Sequence, residues 1–233
     1  QGPLHVPVEA RRRIGSGHKR VASCVRSANM SETARHLVFV SPYGHHGSQS
    51  GARKRVESLC YELLADSTVS LTCMSPWTPP AGVRHVPFSL DGHVARKIVG
   101  LFQLTWKLAS LDPDLVVSES PLAPLSFGRF RLLHVIHDAK FASPHARRGM
   151  WFTRKMHAIS ATLADQVVTV SFSEKARLVE ALDISSERVL VSYNGISDAW
   201  LSTPLPASHK PLKYDLLYVA NFAPHKGHVE LLE

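Results

Sequence analysis

Short apolar runs alternate with stretches of helical period along most of this chain, and that order of elements predicts a parallel sheet with crossover helices. The first run, HLVFVS (36–41), has the length of a strand and leads into a Pro, Gly and Ser-rich loop, PYGHHGSQSG (42–51). A helix follows in which Val56, Leu59, Cys60, Leu63 and Leu64 fall at i, i+3, i+4, i+7 and i+8, one continuous apolar stripe. VSLTCM (69–74) and RHVPF (84–88) read as strands. The next amphipathic segment sets Val94, Ile98, Leu101, Thr105 and Leu108 on one face and ends at Pro113, ahead of a buried strand in DPDLVVSES (112–120). LLHVIHD (132–138) is another strand, 146–164 a helix whose Phe152, Met156, Ile159 and Leu163 share a face, and QVVTVS (166–171) a strand again. Ser171 and Glu174 have the capping-box spacing that opens a helix to Leu182, and VLVSYNG (189–195) closes the unit.

The expected fold class is therefore α/β, a doubly wound, mainly parallel Rossmann-like sheet over residues 36–196. Past Ile196, STPLPASHKPLK (202–213) has the composition of a linker, placed at 197–213. The pattern then restarts: YDLLYVANF (214–222) is a strand and VELLE (229–233) begins an apolar helical face. A lone strand and half a helix cannot bury their own apolar surface, so 214–233 reads as the opening of a second, truncated domain.

Composition and charge narrow the class. Of 233 residues, 44% are hydrophobic and 20% charged, as in a globular chain that builds a core. The net charge of +8 is uneven: residues 1–29 hold six Arg and Lys against Glu9, a net +5, leaving +3 for the other 204. Residues 1–35 read as a disordered basic extension. Without interleaved aromatics, and on so mildly basic a body, no nucleic-acid partner is expected. No run approaches the ~18 uninterrupted apolar residues of a membrane span. The best candidate, Val94 to Leu111, is broken by Arg96, Lys97, Gln103 and Lys107. Cys24, Cys60 and Cys73 are odd in number and far apart, which suggests neither a disulfide framework nor a zinc module and fits a reducing, cytoplasmic setting.

In open parallel sheets, ligands bind beyond the carboxyl ends of the strands, so the loops leaving strands carry the candidate chemistry. The loop from Gly44 to Gly51 has three glycines that let backbone amides approach a ligand, and the helix start after it favours an anion. It has neither a dinucleotide fingerprint nor a P-loop ending, and a plain flexible loop is an equal reading. His134 and His137 point to opposite faces of their strand and cannot share one metal. His137 and Asp138 stand where strand gives way to loop, the place for touching substrate, while His134 is expected to pack against a helix. Ser118 and Glu119, ending the preceding strand, are candidates for hydrogen bonds to hydroxyls in the same crevice, or are simply solvated. In ARRGMWFTRK (146–155), Arg147, Arg148, Arg154 and Lys155 flank Trp151 and Phe152, a solvated face over a buried aromatic stripe or, alternatively, a seat for an anionic membrane or acceptor phosphates. ANFAPHKGH (220–228) puts Lys226 and Gly227 at a helix start, well suited to a departing diphosphate. His225 and His228 lack a carboxylate or Cys companion, so no metal site is expected there.

Taken in succession, these segments resemble the retaining family-4 glycosyltransferases of the GT-B fold. The resemblance runs through VIHDAKFASPHARRGMWFTRKMHAISATLADQVVTVSFSEKARLVEALDISSERVLVSYNGISDAW (135–200), YVANFAPHKGHVELL (218–232) and the glycine loop and helix of SGARKRVESLCYELL (50–64). It implies two Rossmann-like domains facing across a cleft. It also implies transfer of a sugar from a nucleotide-diphosphate donor to an acceptor hydroxyl with retention, the nucleotide-sugar serving as co-substrate and no cofactor or metal being required. By carry-over, Asn221, Lys226 and Gly227 would bind the donor, and His137 with Asp138 would meet the sugar or reacting centre. Gly47, Gly51, Lys54, Ser118 and Glu119 would border the acceptor. Asn221 stands where many members have arginine. The family's paired glutamates, eight positions apart in the second domain, have no counterpart before Glu233, which implies little activity for this chain alone. A carbohydrate or lipid-linked acceptor, polysaccharide biosynthesis and peripheral contact with the cytoplasmic membrane face are the family's habits. Two other readings stay open: an acceptor-binding or regulatory module that needs a partner chain, and a sugar-nucleotide epimerase of the same architecture.

Overall fold

A computed structural model of the chain describes residues 35–43, 51–122, 130–139, 141, 150–195 and 202. The chain divides into two units, 1–195 and 196–233, and all the described residues but 202 belong to the first. The expected basic extension, the linker, the start of a second domain and the positions Gly47, Asn221, Lys226 and Gly227 lie outside the described residues.

Seven strands make one sheet: β1 (Arg35–Val40), β2 (Val69–Ser75), β3 (Arg84–Pro87), β4 (Leu115–Ser118), β5 (Arg131–Val135), β6 (Gln166–Thr169) and β7 (Val189–Val191). The spatial order is β3-β2-β1-β4-β5-β6-β7 and every pairing is parallel, with Val40 opposite both Met74 and Ser118, and Ser118 opposite His134. Four helices are described: α1 (Gly51–Leu64), α2 (Val94–Leu111), α3 (Met150–Leu163) and α4 (Phe172–Leu182). The expected α/β, doubly wound, Rossmann-like class is what the structure has.

Right-handed crossovers explain the layering. The chain winds one way from β1 through β2 to β3, then the other way from β4 to β7, so the connecting helices fall on opposite faces. On one face, Leu37, Phe39, Leu71, Cys73, Val117, Leu133 and Val135 pack against Val56, Leu59, Cys60 and Leu63 of α1. On the other, Val38, Val40, Met74, Val116 and Leu132 meet Leu101, Leu104 and Leu108 of α2, with Met156 of α3 at the margin. Val167 and Val189 continue that face under Ala161 of α3 and Leu178 and Leu182 of α4. Burial on both faces is why the strands read as plain apolar runs instead of alternating ones.

Two helices are rotated from the expected faces. In α2 the buried line is Leu101, Leu104 and Leu108, while Ile98 is exposed and Thr105 turns its hydroxyl to Leu101 O. In α3 the buried positions are Ser160 and Ala161, and Leu163, expected in the core, is exposed. Small residues let α3 lie close to the sheet, and His157, one turn before Ala161, meets the buried His134 at 3.0 Å. A polar partner for that imidazole outweighs the burial of one more leucine.

The capping box is half formed. Ser171 Oγ accepts from Glu174 N at 3.1 Å, opening α4, but the Glu174 carboxylate turns away to accept from Ala139 N at 3.0 Å. Asp112 and Asp183 end α2 and α4 in the left-handed conformation, with φ of 47° and 53°.

Candidate functional site

Winding reverses between β1 and β4, and side chains from both strand ends meet just beyond their carboxyl edge. Glu119 N donates to Val40 O at 2.9 Å, which fixes the residue after β4 beside the end of β1. From there the Glu119 carboxylate gathers two donors: Ser41 Oγ reaches one oxygen at 2.5 Å and His137 Nε2 the other at 2.8 Å. The Glu119 side chain is only 7% exposed and that of His137 25%. An ionised carboxylate has no proton to give, so Nε2 of His137 carries one. In the neutral imidazole, Nδ1 is then the acceptor, and it has no hydrogen-bond partner among the described residues.

The loop that carries His137 is tied down on its far side, because Ala139 N donates to Glu174 at the start of α4 and Glu174 is itself paired with Arg177 at 2.8 Å. Arg55 enters from the second turn of α1. It is buried, and its Nη1 donates to Ser192 O at 3.0 Å and Asn194 Oδ1 at 3.2 Å, in the segment after β7. Burial pulls the Arg55 guanidinium below its ordinary value, and the charge of Glu119 opposes that pull. Four strand ends and one helix thus converge on one polar cluster at the topological switch point, where open α/β sheets bind ligands.

The positions expected from the sequence separate into three groups. His137 and Glu119 are brought together, and Ser118 lies directly behind them, fully buried, with its hydroxyl donating to Ser120 O at 2.6 Å. Asp138 is exposed beside His137. Gly51 is the first residue of α1, with nothing within 4 Å of where a Cβ would stand, so neither packing nor backbone conformation calls for glycine there. Lys54 is exposed on α1, next to the inward-facing Arg55. Ser41, Arg55 and Asn194 join the cluster from outside the expected positions. Arg55 had a visible signal, since it sits four residues before Leu59 on the apolar side of its helix.

His134 packs against a helix, as expected. Its Nδ1 lies 3.3 Å from Ser118 O and its Nε2 3.0 Å from His157 Nδ1. The carbonyl accepts, so Nδ1 of His134 holds the proton and Nε2 accepts from His157. Burial pushes His134 down to about 3 and His157 to about 4, the neighbouring imidazole adding to the fall at His134. The pair is neutral and structural, backing the end of β4. No group of three or more His, Cys, Asp or Glu side chains among the described residues is placed to hold a metal ion.

A doubly wound parallel sheet with a polar cluster at its switch point defines an α/β ligand-binding domain. Residues 49–200 match the pattern of Glycosyltransferase Family 4, and the chain belongs to that family. Among solved structures, the fold is similar to the apo form of the lipopolysaccharide outer core galactosyltransferase WaaB. The two are 15% identical, the TM-score is 0.50, and the match covers 76% of this chain and 50% of that one. It is also similar to HepE of Anabaena in complex with UDP and glucose, at 14% identity and a TM-score of 0.46, covering 69% and 44%. A glycosyltransferase from Rickettsia africae gives 14% identity and a TM-score of 0.44, covering 72% and 45%. No curated protein sequence matches the chain. The chain spans about half the length of these structures. What the family match and the structural likeness show together is membership of Glycosyltransferase Family 4 and an α/β Rossmann-like fold.

Proposed function

We propose that this chain provides the acceptor side of a retaining glycosyltransferase that moves a hexose from a nucleotide-diphosphate donor to a hydroxyl of a carbohydrate or lipid-linked acceptor. The observation that carries the reading is the imidazole of His137, held through Nε2 at the carboxyl edge of the sheet beside the switch point. An imidazole so held offers Nδ1 to a sugar hydroxyl, and that contact orients the sugar as its anomeric carbon gains oxocarbenium character. Asp138, exposed next to His137, shares that contact on this reading. On this reading Asn221, Lys226 and Gly227 receive the donor, and Lys226 offsets the charge that grows on the leaving diphosphate. Gly47, Gly51 and Lys54 line the acceptor approach, with Glu119 acting through His137.

The test is a transfer assay with a panel of nucleotide-sugars on the whole transferase to which this chain gives the acceptor side, since the chain alone is expected to turn over little, followed by NMR of the product's anomeric centre. The expected product keeps the donor's configuration, and His137→Ala lowers kcat/KM by roughly a hundredfold with the fold intact. An inverted product, an epimerised donor in place of a transferred sugar, or full activity in His137→Ala would each overturn the reading.

A further inference from the structure

Two exposed aromatic rings stand at the same carboxyl edge as His137, on the two strands beyond it. Phe172 is the first residue of α4, reached from the end of β6, and Tyr193 is the second residue past β7. Their ring centroids lie 6.1 Å apart with the planes at 67°, and Phe172 is 67% exposed and Tyr193 45%. Each ring is held in place. Glu174, two residues after Phe172, ties the start of α4 to Ala139 in the His137 loop. Tyr193 lies between Ser192 and Asn194, whose main-chain and side-chain oxygens accept from the Arg55 guanidinium. A guanidinium only donates, so the Asn194 side chain turns its oxygen to Arg55 and its NH2 group the other way. That NH2 group and the Tyr193 hydroxyl have no hydrogen-bond partner among the described residues. Neighbouring strands are about 4.8 Å apart, so His137, Phe172 and Tyr193, leaving β5, β6 and β7 in turn, span roughly 10 Å of the edge.

We infer that Phe172 and Tyr193 form a seat for a pyranose ring of the acceptor, with the Asn194 amide and the Tyr193 hydroxyl meeting its hydroxyl groups. The role of the seat rests on the transferase reading, and the seat narrows the acceptor to a carbohydrate. A pyranose carries C–H groups on its flat faces and hydroxyls around its rim. It is therefore matched by an aromatic surface with hydrogen-bonding groups beside it, and that is the composition found here. A lipid chain would need a continuous apolar trough, whereas the neighbours of the pair in sequence are Ser171, Ser173, Ser192 and Asn194. Because the rings stand on the strands next to the one that carries His137, a sugar seated on them extends along the edge toward the imidazole. Phe172 and Tyr193 thus select the acceptor without touching the reacting atoms.

Saturation-transfer NMR on the protein without donor tests the seat, using the methyl glycosides of glucose, galactose and mannose in pyranose form. The expected result is saturation of the ring C–H protons of at least one glycoside. Phe172→Ala with Tyr193→Ala should lower that signal about fivefold or more, and Phe172→Tyr with Tyr193→Phe, which keeps both rings, should retain most of it. In the whole transferase, the alanine pair should raise the acceptor KM about tenfold and leave the donor KM within about twofold. Both positions are exposed, so the melting temperature should stay within a few degrees. Glycoside binding lost in the alanine pair, in a transferase that moves no sugar, would sink the transferase reading and leave the seat standing. Transfer with retention and an unchanged acceptor KM in the alanine pair would do the reverse. The inference also falls if no glycoside receives saturation, or if only uridine diphosphate does and the alanine pair abolishes it, which would assign the rings to a nucleobase. A large fall in melting temperature in the alanine pair would overturn it too, by showing that the rings pack within the protein.

Discussion

Glu119 is the residue on which the candidate site turns. One buried carboxylate satisfies a serine from the end of β1 and an imidazole from the end of β5, beside a buried guanidinium. Glu119→Ala strands both donors, and a loss of about 2–3 kcal/mol in urea unfolding is expected. Glu119→Gln should lose much less: its amide oxygen can still accept from His137, and the Ser41 hydroxyl can rotate to accept from the amide nitrogen. The His134–His157 pair gives a pH signature of the opposite kind. Both groups are depressed from 6.5, to about 3 and about 4. As pH falls through 6.5 the unfolded chain takes up protons that the folded one refuses, so stability drops with acidification until the folded values are reached. Each group contributes at most about 1.4 kcal/mol per pH unit. Urea midpoints at pH 7 and pH 5 should therefore diverge in the parent, and less so in a variant carrying both His134→Leu and His157→Leu.

At the scale of elements, α3 shows how a helix without core leucines is held. Its last carbonyls have no partners within the helix, and Arg188, from the turn before β7, supplies one guanidinium nitrogen to Ala161 O at 3.2 Å, Thr162 O at 2.9 Å and Ala164 O. A cation there also suits the negative end of the helix. Arg188→Ala should cost about 1–2 kcal/mol and speed amide exchange first in the last turn of α3 and in β7. The rotations of α2 and α3 have one cause. Apolar residues surround α2 on nearly every side, so spacing alone offers several stripes and the sheet picks the one that fits its grooves. In α3 the pattern marks the larger residues, while close packing and the buried His134 select the smaller ones. α1 had one apolar stripe, and it packs where that stripe points.

Across the whole molecule, the site joins segments far apart in the chain. Arg55 reaches Ser192 over a separation of 137 residues, linking α1 to the exit from the last described strand. Arg55→Met keeps most of the stem but leaves Ser192 O without its donor, and a loss of about 1–3 kcal/mol is expected. Hydrogen exchange at 192–195 should rise with it, while the centre of β1 stays protected; unchanged exchange at 192–195 would show that the guanidinium does not hold that segment. The described sheet ends in short strands at both edges, with Pro87 closing β3, which limits pairing with other chains.

The sequence by itself determined the order of strands and helices, the parallel winding and the candidacy of His137. Those follow from local signals: apolar runs of strand length, stripes at helical spacing, and position at a strand end. Tertiary structure alone decided which face of α2 and α3 is buried, and that Glu119 takes Ser41 and His137 as its partners in place of solvent. It also decided that Arg55, one residue from the expected Lys54, is the cation turned inward. These depend on which distant segments the sheet sets side by side, and a carboxylate's partners 18 and 78 residues away leave no periodic trace in the chain.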